Sequence, residues 1–303
     1  MSFINNGIFK KNITLVNNYN KLKTIMRTLF LILFLLCNIP NVNASKIDTL
    51  VVTSKAMNKS IKNIVITPND YDGNNGRYSV LYLLHGAGGN YTDWISKGPN
   101  IQKYADTYNV IIVCPDGGFT SWYFDSPIDK KMKYETYISK ELVNEVDKTY
   151  KTIKNKNNRA ITGLSMGGHG AFYLAFKHQD VWGAAGSMSG GLDIRPFPNS
   201  WDISKRLGDY ATHKDTWEEN TVSNMIYLLK GNNLKLIFDC GVDDFFYDVN
   251  KRMHEKLMER NIPHDYIERP GNHSWEYWSN SIKQQFVFFN TFFMSNESPL
   301  LEE

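Results

Sequence analysis

Arg159-Ala160-Ile161-Thr162-Gly163-Leu164-Ser165-Met166-Gly167-Gly168-His169-Gly170-Ala171 decides how the rest of the chain is read. The first four residues have the character of a strand, and the small residues after Met166 can open a helix. A G-x-S-x-G pentapeptide arises by chance fairly often, so the context carries the weight. Strand, tight turn and helix in succession push a serine Oγ clear of a sheet edge. Glycines relieve the crowding of that turn, and the helix N-terminus behind it stabilises negative charge.

Outward from this stretch, short apolar runs alternate with amphipathic ones from Ser45 on. That alternation predicts an α/β fold with a mostly parallel central sheet covered by helices on both faces. The expected strands are 64–67, 79–84, 110–113, 159–162, 184–187, 234–238 and 265–268, with a hairpin turn at Asn75-Gly76 joining the first two. Ile138, Leu142, Val146 and Tyr150 recur at helical spacing within 135–150. Ile282, Phe286, Phe289 and Phe293 do the same near the C-terminus. Residues 191–230, rich in Pro, Trp, Asp and Asn, break the rhythm and read as an insertion above the sheet that shapes a pocket. No solenoid-length repeat or Pro/Ser/Gly linker divides the chain, so residues 45–295 read as one domain and 296–303 as a polar tail.

A serine hydroxyl is a weak nucleophile alone, so an acid and a histidine should follow it in chain order. Leu234 to Phe238 ends in Asp239-Cys240-Gly241-Val242-Asp243-Asp244-Phe245. Asp244 is the expected acid, and Asp243 reads as a turn residue bonding its own backbone. After the last strand, Arg269-Pro270-Gly271-Asn272-His273-Ser274-Trp275 puts His273 at a strand's C-terminal end, where ligands bind in open α/β sheets. The other downstream histidines, His169, His178, His213, His254 and His264, sit in helix-like or polar settings that fit packing or surface roles. Upstream, Leu83-Leu84-His85-Gly86-Ala87-Gly88-Gly89-Asn90 follows a strand, and the Ala87 and Met166 N–H groups are the expected oxyanion donors. It lacks the lysine and spacing of a phosphate loop.

The chain resembles the esterase D-like branch of the α/β hydrolases. The likeness runs over about residues 50–295 through Tyr82-Leu83-Leu84-His85-Gly86, Asp93-Trp94, Ser121-Trp122-Tyr123-Phe124-Asp125-Ser126-Pro127 and Gly163-Leu164-Ser165-Met166-Gly167-Gly168. It implies an α/β-hydrolase fold, a Ser165, Asp244 and His273 triad, and an oxyanion hole from Ala87 and Met166. Secreted feruloyl, acetyl and tributyrin esterases belong to this branch, and S-formylglutathione hydrolases and bacterial mycolyltransferases are similar folds. Trp94, Trp122, Tyr123, Phe245, Trp275 and Trp278 fall in or beside loops expected at the mouth of the site. His85, Gly86, Trp122, Asp125 and Trp275 are the expected substrate contacts, Asp125 either closing the pocket floor or orienting Trp122. The expected activity is serine carboxylester hydrolysis on feruloyl or acetyl esters of plant cell-wall polysaccharides. Two alternatives stay open: acyl transfer to an alcohol or sugar, and a non-catalytic carbohydrate-binding module.

Composition narrows the partners. The 303 residues include 34 Lys plus Arg, 31 Asp plus Glu and 42% hydrophobic residues, enough for a full core. Residues 1–44 hold five basic residues and no acidic one, leaving 29 basic against 31 acidic over the other 259. With no basic face, no nucleic-acid partner is expected. Arg27, the apolar run Leu29 to Cys37 and Val42-Asn43-Ala44 read as a cleaved signal peptide starting at Met26, with residues 1–25 an over-extended frame or long leader. Export to the periplasm or exterior follows, and nine apolar residues fall short of the roughly 20 that span a bilayer. Cys37 is a weaker candidate for lipid attachment, since Leu36 precedes it. Cys114 and Cys240 end strand-like runs and read as buried free thiols. No Cys/His spacing suits zinc, Asp70 to Leu81 departs from a calcium loop at its sixth and twelfth positions, and no metal or cofactor is expected.

Overall fold

Among the described residues eight strands form one sheet, lying across it in the order 46–54, 59–67, 111–115, 80–84, 159–163, 184–188, 235–241 and 265–269. The computed structural model describes residues 19, 21–30, 45–73, 75–229, 231 and 233–297. Two units separate along the chain, Met1–Asn43 and Ala44–Glu303. In the first, residues 21–30 are helical. The cleavage pattern, Cys37 and residues 298–303 of the expected tail lie outside the described residues. Among the described residues no helix is long and apolar enough to cross a membrane.

The second unit begins with β1 (Lys46–Ser54) and β2 (Lys59–Thr67), followed by β3 (Val80–Leu84), the short helices α1 (Asp93–Ser96) and α2 (Ile101–Tyr108), and β4 (Ile111–Pro115). A continuous helix α3 follows, made of Tyr134–Thr136, a π-wound turn Tyr137–Leu142 and Val143–Thr149. Next come β5 (Arg159–Gly163), α4 (Met166–Lys177) and β6 (Ala184–Met188). The insertion holds α5 (Ile203–Leu207), α6 (Lys214–Asn220) and a 3-10 segment Val222–Leu228. Then β7 (Lys235–Gly241), α7 (Tyr247–Glu259), β8 (Asp265–Arg269) and α8 (Trp275–Glu297) complete the unit.

β3 to β8 run parallel to one another, while β1 pairs antiparallel with β2 and β2 with β4. The expected hairpin at Asn75-Gly76 is therefore corrected. Val65 and Ile66 pair with Val113 and Ile112 of β4, and β3 lies on that strand's other side. The hairpin joins β1 to β2 through Lys55–Asn58, where Asn58 takes φ 50°. β1 went unmarked in the sequence because an edge strand is mostly exposed, which erases the buried-strand signal.

Side chains alternate across the sheet as the pleat demands. Val80, Tyr82 and Leu84 enter one core layer with α3, α4 and α7, whereas Leu81 and Leu83 enter the other with α1, α2 and α8. Ile282, Phe286, Phe289 and Phe293 all face that second layer. α8 runs on through Glu297, two residues into the segment read as tail. The insertion is more than a cover, since Leu192, Ile194, Ile203, Leu207, Trp217 and Val222 are fully buried in the first layer. Cys114 and Cys240 are buried and free.

Candidate active site

Ser165 sits between β5 and α4 with φ 55° and ψ −119°, a left-handed position that forces the side chain out of the turn. A Cβ on Gly163 would lie 2.7 Å from the Gly167 carbonyl, and one on Gly167 would lie 2.6 Å from the His85 carbonyl. Both sites exclude any larger residue. The Ser165 N–H donates to Met188 O at 2.9 Å, tying the turn to β6.

His273 Nε2 lies 2.8 Å from Ser165 Oγ, and its Nδ1 lies 2.8 Å from Asp244 Oδ2. These three groups, 108 residues apart at their widest, meet because the parallel strands β5, β7 and β8, with β6 between the first two, end at the same edge of the sheet. The turn after β7 and the loop after β8 are joined by backbone bonds from Val242 N–H to Arg269 O and from Asp243 N–H to Gly271 O, both 3.0 Å. A Cβ on Gly241 would sit 2.2 Å from Gly271 O, so this close approach also needs glycine. Asp244 is buried, and its Oδ1 accepts the Phe246 N–H at 2.8 Å. Asp243 is exposed in the turn.

The loop after β3 is held from behind. His85 Nε2 accepts the Gly117 N–H at 2.8 Å, so Nδ1 carries the proton donated to Gly86 O at 2.8 Å. Burial holds this imidazole below its usual pKa and keeps it neutral. Trp94 Nε1 donates to Leu84 O and Tyr123 Oη to His85 O, each at 3.0 Å. The Gly88 and Gly89 N–H groups are taken by Phe119 O and Gly86 O. Among the described residues no carbonyl accepts the Ala87 or Met166 N–H.

Ser165 and His273 open into a cleft of about 410 Å³ lined by Gly86, Ala87, Asp93, Lys97, Trp201, Phe245, Trp275 and Trp278 among others. Of the expected contacts, Gly86 and Trp275 line it. His85, Trp122 and Asp125 do not. His85 is turned into the loop, Trp122 is buried with its Nε1 on Trp201 O at 3.1 Å, and Asp125 accepts Thr136 N–H and Oγ1–H at 3.0 and 2.6 Å. Trp94 and Tyr123 are likewise buried supports. Sequence reasoning missed Trp201, which enters the cleft from the insertion on a φ of 46°. Its local setting, Pro198-Asn199-Ser200-Trp201-Asp202, signals only a turn. A groove of similar volume between β7, β8 and α8 carries Lys235 and Asp265 but no serine and imidazole pair. Among the described residues no group of three or more His, Cys, Asp or Glu could hold a metal ion.

Such a serine, imidazole and carboxylate relay suits acyl chemistry. Residues 54–289 match the Esterase family, described as "Putative esterase". An acetyl esterase of Caldicellulosiruptor saccharolyticus is 28% identical over 259 residues, covering 78% of this chain and 95% of that protein. A diacylglycerol acyltransferase/mycolyltransferase Ag85B of Mycobacterium avium is 27% identical over 282 residues, covering 78% and 80%. The solved structure of a ferulic acid esterase superposes with TM-score 0.73 at 29% identity, covering 83% of this chain and 99% of its own. Family match, sheet and neighbours agree: the chain belongs to the Esterase family within the α/β hydrolase superfamily and is a carboxylic ester hydrolase.

Proposed function

We propose that the protein is an exported serine esterase acting through an acyl-enzyme on Ser165. The unbroken relay from Ser165 Oγ through His273 to Asp244, 2.8 Å at each step, carries this reading. Ser165 Oγ attacks the ester carbonyl carbon while its proton passes to His273 Nε2, and Asp244 stabilises the imidazolium. The carbonyl oxygen gains charge against the Ala87 and Met166 N–H groups, each such donor typically worth roughly 100–1,000-fold in rate. Collapse breaks the bond to the alkoxy oxygen, which leaves with the proton from His273. Water, deprotonated by the same imidazole, then releases the acid and restores Ser165.

The substrates are feruloyl or acetyl esters of plant cell-wall polysaccharides. The acetyl esterase relative and the ferulic acid esterase neighbour support this class, as do the aromatic walls from Trp201, Phe245, Trp275 and Trp278. Export rests on the basic and apolar leader around Arg27 to Ala44. The Ag85B likeness favours a second reading, in which an alcohol replaces water and takes the acyl group.

The test is release of p-nitrophenol from p-nitrophenyl acetate and of ferulate from methyl ferulate by the chain from Ser45 on, beside Ser165→Ala. Hydrolysis that falls by at least about 10³-fold in the variant supports the serine mechanism. Undiminished turnover in Ser165→Ala overturns it. Slow hydrolysis accelerated by added sugar alcohols moves the assignment to acyl transfer.

A further inference from the structure

Phe245 is half exposed, at 50%, so burial alone does not account for where its ring lies. Its centroid is 4.2 Å from that of the His273 imidazole, with the planes 37° apart. Trp201 stacks on Phe245 at 5.4 Å and 23°. Trp278 meets the imidazole edge-on at 4.9 Å and 89°, and Phe246 does so at 5.5 Å and 78°. Trp201 is itself braced, because Trp122 Nε1 holds its carbonyl and Thr120 Oγ1 donates to Asp202 Oδ2 at 3.0 Å. A column of rings thus runs from the insertion to the histidine, and hydrogen bonds to loop 120–122 fix its far end.

We propose that Phe245 is a positioning residue for His273, holding the imidazole toward Ser165 and stabilising the imidazolium, with Trp201 bracing the ring. The proposal rests on the serine mechanism given above. When Ser165 gives up its proton, His273 becomes a cation lying against an aromatic face, an arrangement that favours the charged form. Asp244 bonds Nδ1 from behind, and the charged groups lining the cleft are the pair Asp93 and Lys97 at 3.1 Å. Of these charged groups only Asp244 touches the imidazole; Ser165 Oγ meets its Nε2, and of the three rings packed against it Phe245 lies nearest.

Phe245→Leu keeps apolar cover and removes the π face, whereas Phe245→Tyr keeps both. The measurement is titration of His273 by carbon NMR of histidine-labelled enzyme, its resonance identified by disappearance in His273→Ala, beside the pH profile of kcat/KM on p-nitrophenyl acetate. Phe245→Leu is expected to titrate about 0.3–0.7 pH units lower and to lose about two- to fivefold in kcat/KM, with Phe245→Tyr restoring both. Trp201→Ala, which leaves the contact ring in place, shifts the titration in the same direction by less. A Phe245→Leu enzyme that titrates like the wild type overturns the proposal, as does a Phe245→Tyr enzyme as impaired as Phe245→Leu. Because the NMR readout needs no turnover, failure of the serine mechanism would show separately, as activity surviving in Ser165→Ala.

Discussion

His85 shows how a residue beside the chemistry can act without touching it. Its two ring nitrogens are spent on Gly86 O and the Gly117 N–H, so the imidazole fixes the loop that presents Ala87. His85→Ala is expected to lower kcat by about 10–100-fold with KM nearly unchanged, because displacing the Ala87 N–H proposed as oxyanion donor weakens transition-state binding selectively. Steady-state kinetics on p-nitrophenyl acetate check this, and a rise in KM at constant kcat would return His85 to substrate contact. Ser165, Asp244 and His273 were legible in the sequence because each occupies a turn at a strand end, where spacing and residue type coincide. The roles of His85, Trp122 and Asp125 were not, since a motif records which residue is present but not which way it points. Trp201 was hidden for the opposite reason, having the right orientation and no motif.

The strands most plainly legible were the buried ones, although β8, with no buried residue, was read as well. β3 and β4 are buried along their whole length and announce themselves as apolar runs, whereas β1 lies at an edge with alternating exposure too weak to read. Its pairing is secured from outside the sheet. Glu141, in the π-wound turn of α3, accepts the Lys55 and Ala56 N–H groups at 2.8 and 3.0 Å, capping the β1–β2 hairpin. Charge-assisted bonds of this kind contribute about 1.5–3 kcal/mol each when well sheltered, and less in exposed positions such as this one. Glu141→Ala is therefore expected to reduce stability by about 1–2 kcal/mol and leave esterase activity intact. Urea unfolding with an unchanged m value checks it, and an unmoved midpoint would show that the hairpin needs no cap.

For the whole molecule, buried histidines set the response to acid. His169, packed among Trp122, Phe124 and Tyr173, is pushed down to about 3 by burial, partly opposed by the carbonyls of Asn220 and Trp122. His85 and His264 are shifted the same way. The unfolded chain protonates these imidazoles near pH 6.5 while the folded chain does not, so stability is complete above that pH and falls as pH drops toward the folded values. His169 alone withdraws about 2 kcal/mol between pH 7.5 and pH 5. Glu135 adds to the loss lower down: burial raises its pKa, but bonds from His178 and Lys177 outweigh this and hold it at about 2, so its contribution fades between pH 4.5 and 2. Unfolding free energies at pH 7.5 and 5 test the sign, and His169→Phe should flatten the slope. Equal stability at the two pH values would refute it.

The insertion serves two purposes with one stretch of chain. Trp217, Val222 and Ile203 fill the core while Trp201, close by in sequence, lines the cleft. Taste for a substrate and soundness of the fold are therefore inherited together. A relative that exchanges this segment to accept another acyl group must import new packing with it, so drift in specificity along this lineage should proceed by matched replacements, seldom by single ones.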